Sequence, residues 1–258
     1  MEITFLGTGT SNGIPVIGCK CPVCRSNDKR DRRLRTSLYV KNDDVAIVID
    51  TGPDFRTQML DNEIEQLDAV LITHPHKDHL AGLDDIKPFT WINKKPFPIY
   101  GNKYSIDAVK TEFSYAFEKF CYPGTPAFDI HEIEKEPFTI NTTQIIPIPL
   151  LHYKLPILGF RIENMAYITD ASAIPEDSFS LLKNLNILII NALRIKPHIA
   201  HFSLNEALQM IATIAPQKAF LTHVGHDLGL YKEVSARLPE NVCLAFDGLN
   251  VEVKNNKK

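Results

Sequence analysis

The sequence predicts an α/β fold in which strands and helices are mixed within one domain that spans residues 1–258. The first observation behind this prediction is a series of short apolar runs that end in polar residues, as strands do. The second is a set of helix signals between those runs, and the third is the absence of a linker, repeat or low-complexity stretch. With 258 residues and 44% apolar side chains, the chain can bury a full core.

The first quarter of the chain predicts three strands and one short helix. Residues 2–6 alternate as a strand does, and the glycine-rich residues 7–13 follow as a loop. This loop lacks the G-x-G-x-x-G spacing before a helix, so it is not predicted to bind a nucleotide. Residues 37–40 and 45–49 predict a hairpin, and residues 54–61 predict a short helix.

The next strand, residues 69–72, leads into a helix predicted from near His79 to about Ile86, before Pro88. Residues 88–130 follow and are rich in aromatic side chains. We expect this segment to serve in core packing or in a subunit contact, which favours a homodimer. A lid over a site is the alternative interpretation.

The second half of the chain predicts many strands and fewer helices. The predicted strands are residues 138–140, 144–150, 158–162, 165–169, 187–190, 218–221, 242–246 and 249–253. Helices are predicted near 175–183 and 230–237. Another begins after Ser203 and runs to about Ile214, because Ser203 and Glu206 have the spacing of a capping box.

A cluster of imidazoles and a carboxylate follows the strand at residues 69–72. His74, His76, Asp78 and His79 stand in an H-x-H-x-D-H pattern, and the chain has only nine histidines in all. Residues two apart in an extended chain point to the same side, so His74 and His76 can hold one ion. Asp78 and His79 are then aimed at a second ion. Imidazole with carboxylate suits zinc, manganese or iron.

Three further strand ends carry groups that bind metals. His152, Asp170 and His223 each follow an apolar run that predicts a strand. Together with the cluster they make five histidines and two aspartates, which is the number that two neighbouring ions with one bridging carboxylate would use. The sequence therefore predicts a dinuclear site formed at strand ends.

Cys19, Cys21 and Cys24 form a second cluster, with C-x-C-x-x-C spacing. Three thiols within six residues can bind one tetrahedral zinc, but a closed structural site needs a fourth ligand. Cys121, Cys243 and a distant histidine are the candidates, and reduced thiols on a loop are the alternative. Five cysteines, an odd number, argue against a disulfide framework.

The charge and apolar content of the chain limit the kinds of partner that we expect it to bind. The formal charge is −3, and no long basic run occurs apart from residues 29–35 and the tail, so no long nucleic acid is expected. No apolar run approaches the roughly 20 residues of a membrane span, and the N-terminus has no basic signal region. We therefore expect a cytoplasmic protein without a membrane partner.

The order of these strand-end groups resembles that of the metallo-β-lactamase fold superfamily over the whole chain. The resemblance implies a four-layer αββα sandwich. It also implies that His74, His76 and His152 bind the first ion, that Asp78, His79 and His223 bind the second, and that Asp170 bridges them. Aspartate and histidine replace the cysteine of true lactamases in the second site, as in glyoxalase II and the tRNA-processing nucleases.

The cysteine cluster narrows the resemblance to the PhnP-type phosphodiesterases, which include phosphoribosyl cyclic phosphodiesterase. In that family three cysteines and a histidine shortly after the last active-site histidine hold a structural zinc. The resemblance therefore implies that His226 is the fourth ligand of the cysteine cluster. The segment from Lys196 to Leu204 also resembles the family segment that carries a catalytic histidine. His201 is the better match and His198 the alternative.

The expected function is hydrolysis of small phosphodiesters, such as a cyclic ribose phosphate or a small or cyclic nucleotide. Two divalent ions, manganese or zinc, would lower the pKa of a bridging water towards 7. The leaving alkoxide needs a proton, which a histidine can supply. Asp78 and His201, with His198 as the alternative, are the residues expected in the chemical step. The competing hypotheses are a glyoxalase II-like thioester hydrolase, a tRNA 3′-processing endonuclease and a non-catalytic metal-dependent binding protein.

Overall fold

A computed structural model describes residues 1–118, 120 and 124–253, and the strands in this part of the chain form two seven-stranded sheets. In chain order the strands are β1 (Glu2–Gly7), β2 (Ser37–Lys41), β3 (Ala46–Ile49), β4 (Ala69–Ile72), β5 (Phe97–Gly101), β6 (Phe128–Glu132) and β7 (Phe138–Ile140). They continue with β8 (Thr143–His152), β9 (Leu155–Ile162), β10 (Met165–Ile168), β11 (Ile187–Asn191), β12 (Lys218–Thr222), β13 (Val242–Leu244) and β14 (Asn250–Glu252).

Helices cover the outer faces of the sheets. The α-helices are α1 (Phe55–Asp61), α2 (Lys77–Leu80), α3 (Lys87–Asn93), α4 (Lys103–Glu112), α5 (Leu204–Ile214) and α6 (Tyr231–Ser235). Short 3₁₀ helices occur at Lys29–Asp31, Leu83–Ile86, Ser114–Ala116, Glu176–Leu182 and His226–Leu228. None of the helices in the described part of the chain combines the length and apolar character that crossing a membrane requires.

Three apolar layers separate the four structural layers. One layer lies between the sheets and includes Leu71 of β4 and Phe160 of β9. A second joins the first sheet to its helices, and Val70 and Ile72 of β4 belong to it. The third lies between the second sheet and α5. Because both faces of β4 are buried, its sequence is a continuous apolar run rather than an alternating one. The predicted α/β class and αββα arrangement are confirmed.

Each sheet is antiparallel on one side and parallel on the other. The first runs in the order β14-β1-β2-β3-β4-β5-β6, with parallel pairing from β3 to β6. The second runs β13-β12-β11-β10-β9-β8-β7, with parallel pairing from β10 to β13. Parallel strands end at the same edge of a sheet, so their carboxyl ends gather the polar residues that follow them in one place.

In its described part, the aromatic-rich segment 88–130 contains most of α3, then β5, α4, the 3₁₀ helix Ser114–Ala116 and the start of β6. Phe97 and Phe113 are buried beneath α3 and α4, whereas Trp91, Tyr104 and Phe120 are exposed. Tyr122 lies outside the described residues. The segment therefore contributes to the core through some of its rings and presents the others at the surface. The choice between a subunit contact and a lid stays a prediction.

Candidate active site and metal centres

Seven side chains predicted to bind metals lie together at one edge of the two sheets. His74, His76, Asp78 and His79 follow β4, and the last two of them lie in α2. His152 is the last residue of β8, Asp170 lies two residues beyond β10, and His223 directly follows β12. The strand ends bring these residues together although they span 150 positions of the chain.

The backbone turns sharply at three of these strand ends. Asp50 after β3, Asp170 and His223 have φ angles of 66°, 56° and 52°. Residues other than glycine are uncommon in this left-handed region, where asparagine, aspartate and histidine are the most frequent of them, and strained positions cluster at functional sites. The side chains of Asp50 and Asp170 both contact His79, and His223 contacts Asp170.

The first cluster consists of His74, His76 and His152, whose ligand atoms lie within 4.8 Å of one another. His74 Nε2 is 3.0 Å from His76 Nδ1. His74 Nδ1 donates to Thr73 Oγ1 at 3.0 Å, and His152 Nδ1 donates to the carbonyl of Ala200 at 2.7 Å. These two bonds leave Nε2 of both rings free to bind an ion.

The second cluster consists of Asp78, His79, Asp170 and His223. His79 Nε2 lies 3.2 Å from Asp78 Oδ2 and 3.3 Å from Asp170 Oδ2. His223 Nε2 lies 3.0 Å from Asp170 Oδ1. Asp170 also belongs to a third group, with His152 and His201, so its carboxylate lies between the two clusters, as a bridging ligand must.

The buried nitrogen atoms of the second cluster fit a metal site. His79 Nε2 and His223 Nε2 are inaccessible to water and make no hydrogen bond of acceptable geometry in the described part of the chain. Leaving such a polar atom unpaired costs about 1–3 kcal/mol. A divalent cation bound by imidazole and carboxylate would satisfy both atoms, and the donor set suits zinc, manganese or iron.

The electrostatics of the two clusters differ. Burial, together with neighbouring His79, lowers the pKa of His74 well below its usual value, so His74 is a neutral imidazole. Burial also opposes charge on His79 and His223, but the surrounding carboxylates outweigh it. They raise the pKa of His79 well above its usual value and that of His223 to about 9. The second cluster thus concentrates negative charge, which attracts cations.

Asp50 is a functional residue that the sequence analysis did not identify. It is fully buried, and its carboxylate accepts hydrogen bonds from His79 Nδ1 at 2.7 Å and from the backbone N–H of Thr73 at 2.8 Å. Thr73 Oγ1 also donates to it. Asp50 therefore orients His79 directly and His74 through Thr73. The available signal was its position after the apolar run of β3, the same signal that identified Asp170.

Replacing Asp50 by asparagine is expected to weaken metal binding about 10–100-fold, because partners of metal ligands orient them and raise their basicity. Asparagine tolerates the positive φ of this position, so the backbone is preserved. Titration of the metal-free protein with Mn²⁺ or Zn²⁺ measures the affinity. Asp68→Asn, at the opposite end of β4, is the matched control. Equal affinities in the two variants would contradict this role of Asp50.

His201 contacts residues of both ligand clusters. His198 contacts the outer side of His201 and lies further from the clusters. The His201 ring centroid is 4.7 Å from that of His152 and 5.0 Å from that of His223, and its Nδ1 is 3.4 Å from Asp170 Oδ1. The His198 ring is 5.0 Å from that of His201, and its Nδ1 accepts a hydrogen bond from the N–H of Ala200. Burial and nearby His223 lower the pKa of His201 to about 3, so the resting imidazole is neutral.

The three cysteines of the cluster lie in contact with His226. The Sγ atoms of Cys19, Cys21 and Cys24 lie 3.3, 3.4 and 3.5 Å from His226 Nδ1. Ligands of a tetrahedral zinc with these donors would be about 3.6 Å apart, so the group fits one structural zinc. The backbone N–H of Cys24 lowers the pKa of Cys21 to about 6, which favours the thiolate that binds metal.

The other candidates for the fourth position do not join this cluster in the described part of the chain. Cys243 lies in β13 and packs against the layer between the sheets. Cys121 lies outside the described residues. His226 lies only three positions after His223, and Val224 between them pairs with Thr8 and Thr10 of the glycine-rich loop. The zinc group and the active site therefore share one backbone segment.

Cys21→Ser is expected to lower the melting temperature and to remove the zinc of this cluster, while affecting the chemical step less. A closed four-ligand site has no position for substrate, and its binding free energy contributes to folding. Metal analysis and thermal unfolding check both expectations, with Cys243→Ser as the control. Wild-type zinc content in Cys21→Ser, or in His226→Ala, would contradict the assignment.

Comparison with known proteins agrees with this fold. Residues 46–224 match the family described as the Beta-lactamase superfamily domain, which is more than half of the chain. The chain therefore belongs to the β-lactamase superfamily. Within it, the crystal structure of a diphosphatase from the PhnP family is 38% identical, covers 98% of each chain and superposes with a TM-score of 0.91. The predicted family is confirmed.

Two relatives widen the comparison. An octanoyltransferase from Porphyromonas gingivalis is 38% identical over 252 residues, which are 96% of this chain and 51% of that protein. The chain thus spans about half the length of that relative. A ribonuclease Z from Methanococcus maripaludis is 25% identical, with 94% of this chain and 73% of that protein covered. Human tRNase Z, short form, shares the fold at 19% identity with a TM-score of 0.72.

Proposed function

We propose that this protein is a dimetal-dependent phosphodiesterase that hydrolyses small phosphodiesters. The observation that carries the proposal is the convergence of two ligand clusters on Asp170, with His201 at their rim. A pair of divalent cations held there would activate water near neutral pH and offset the charge that develops on the phosphoryl oxygens. The 38% identity to a PhnP-family diphosphatase supports phosphoryl chemistry.

The other residues of the site have two roles in the proposed reaction: some orient the metal ligands, and others supply negative charge. Asp50 and the carbonyl of Ala200 hold the rings of His79 and His152 in the orientation that leaves Nε2 free. Asp78 and Asp170 supply the negative charge that retains the cations at the cleft.

His201 is the residue placed to move the proton. Its ring lies beside Asp170 and stacks against the ring of His223, so it borders the position that a phosphoryl group bound to both clusters would occupy. As a general acid it would carry a proton, taken up when the anionic substrate lies beside it, to the leaving oxygen. His198 lies further from the ligands, which makes His201 the first candidate.

Two observations favour a small substrate over a folded RNA. The net charge is −3, whereas RNA-binding surfaces are basic. Within the basic stretch 29–35, Arg33 is buried and donates to Thr8 Oγ1 and the carbonyl of Ala245, and Arg35 pairs with Asp54. These guanidinium groups are engaged inside the protein and do not form a binding patch.

A panel of substrates tests the proposal. We would measure hydrolysis of bis-p-nitrophenyl phosphate, a 2′,3′-cyclic nucleotide, ribose 1,2-cyclic phosphate, a nucleoside diphosphate, a tRNA precursor and S-lactoylglutathione, each with Mn²⁺ and with Zn²⁺. The expected result is metal-dependent hydrolysis of the small phosphodiesters that is lost in Asp170→Asn. Turnover of the thioester alone, or of the tRNA precursor alone, would assign the protein to acyl or RNA chemistry instead.

A further inference from the structure

The turn between β8 and β9 places an aromatic ring next to the active site. This turn consists of Tyr153 and Lys154 and directly follows His152. Half of Tyr153 is exposed (50%), and the ammonium group of Lys154 lies 5.4 Å from its ring centroid. The N–H of Tyr153 donates to Ser172 Oγ at 2.8 Å, two residues beyond Asp170. The backbone of Tyr153 is therefore fixed between residues of the two metal clusters.

Tyrosine is an unfavourable choice at this position of a turn. Tyr153 has a φ of 54°, in the left-handed region that glycine and asparagine tolerate best. The turns between β7 and β8 and between β9 and β10 have the same length, and their first residues, Asn141 and Glu163, have φ angles of 53° and 52°. The positive φ is thus common to these two-residue turns, and a bulky, half-exposed ring does nothing to stabilise one.

The turn that holds Tyr153 and the loop beside it contain basic residues and no acidic ones. The hydrogen bond from His152 to the carbonyl of Ala200 places the loop 192–203 beside the turn. The turn and the loop together contain Lys154, Arg194 and Lys196 and not one carboxylate, although the whole chain has a net charge of −3. An exposed aromatic ring with a cation beside it, as Lys154 lies beside Tyr153, can bind a base stacked on the ring together with its phosphate.

We infer that Tyr153 is a stacking platform for a nucleobase, so that the substrates are nucleotides rather than bare sugar phosphates. The inference rests on the proposed function, because it specifies the substrate class of that same site. The base would lie on the Tyr153 ring, and the scissile phosphate would lie at the metal clusters. Tyr153 would thus determine specificity without taking part in the chemical step.

Calorimetric titration with adenosine 5′-monophosphate and with ribose 5-phosphate tests the inference, because the two ligands differ only in the base. The wild-type protein is expected to bind the nucleotide about tenfold more tightly, which corresponds to about 1.4 kcal/mol of stacking. Tyr153→Asn is expected to abolish this difference, and Tyr153→Trp to retain it. Asparagine suits the positive φ, so Tyr153→Asn should unfold at a temperature no lower than wild type.

Glu163→Asn is the matched control, since it makes the same change in the β9–β10 turn, away from the ligands. It should keep the tenfold preference. Equal binding of the two ligands to the wild type, or an equal loss of both in Tyr153→Asn, would overturn the inference. Binding is measured independently of turnover. A failure of the substrate panel would therefore refute the proposed function and leave the preference for the base measurable.

Discussion

Asp170→Ala is expected to remove most of the divalent metal from the active site and to leave the zinc of the cysteine cluster in place. The carboxylate of Asp170 lies within 3.3 Å of His79 Nε2 and 3.0 Å of His223 Nε2, and it belongs both to the second cluster and to the group with His152 and His201. Its loss should therefore exceed the 10–100-fold weakening expected for Asp50→Asn, because Asp50 acts only through other ligands.

Metal analysis of purified protein gives the readout, with the cysteine-bound zinc as an internal standard. Asp170 has a positive φ, so alanine adds backbone strain to the loss of charge. Asp170→Asn separates the two effects, since asparagine tolerates that conformation and removes the charge alone. Asp68→Ala, remote from the site, should keep the full metal content. Unchanged active-site stoichiometry in both Asp170 variants would show that this residue is not a ligand.

His201→Ala is expected to slow hydrolysis of substrates with alkoxide leaving groups about 10²–10⁴-fold. An alkoxide leaves poorly without a proton, whereas p-nitrophenolate leaves well unprotonated. The loss on bis-p-nitrophenyl phosphate should therefore be much smaller. His201 is 13% exposed and borders the cleft, so its removal opens space there without taking a core residue from either sheet.

Metal content and the relative rate losses on the two substrates distinguish proton transfer by His201 from metal binding or packing. The ligand atoms of His201, His152 and Asp170 lie within 4.8 Å, so the geometry also permits His201 to bind an ion. A wild-type metal content in His201→Ala supports proton transfer, and a reduced one supports ligation. Parallel losses on both substrates together with a lower melting temperature would indicate a packing role. A larger effect in His198→Ala would transfer the assignment to that residue.

Helices and strands were predicted correctly from the sequence where the pattern involves residues close together in the chain. The capping box of Ser203 and Glu206 is present at the start of α5, and the predicted strands from β1 to β4 and from β7 to β14 are all observed. The predicted helix near residue 79 is interrupted, being α2 followed by a 3₁₀ turn. Helical structure resumes across Pro88, because proline is tolerated in the first turn of α3.

The elements within segment 88–130, among them β5, α4 and β6, were not predicted. Pro98 lies inside β5, which pairs with a strand on each side, and proline within an apolar run argues against a strand. The cap of α4 was present in the sequence, since the Asn102 side chain accepts a hydrogen bond from the N–H of Ser105. β6 is an edge strand with alternating half-buried residues, and it gives little apolar signal.

The sequence by itself determined the secondary structure of most of the chain and the chemical identity of the metal-binding groups, because both depend on residues within a few positions. Only the tertiary structure decided which groups meet. His79 and Asp50 are 29 positions apart, and Cys19 and His226 are 207 apart, yet each pair is in contact. Such contacts depend on how the two sheets pack and on where their strands end, and no short stretch of residues encodes that arrangement.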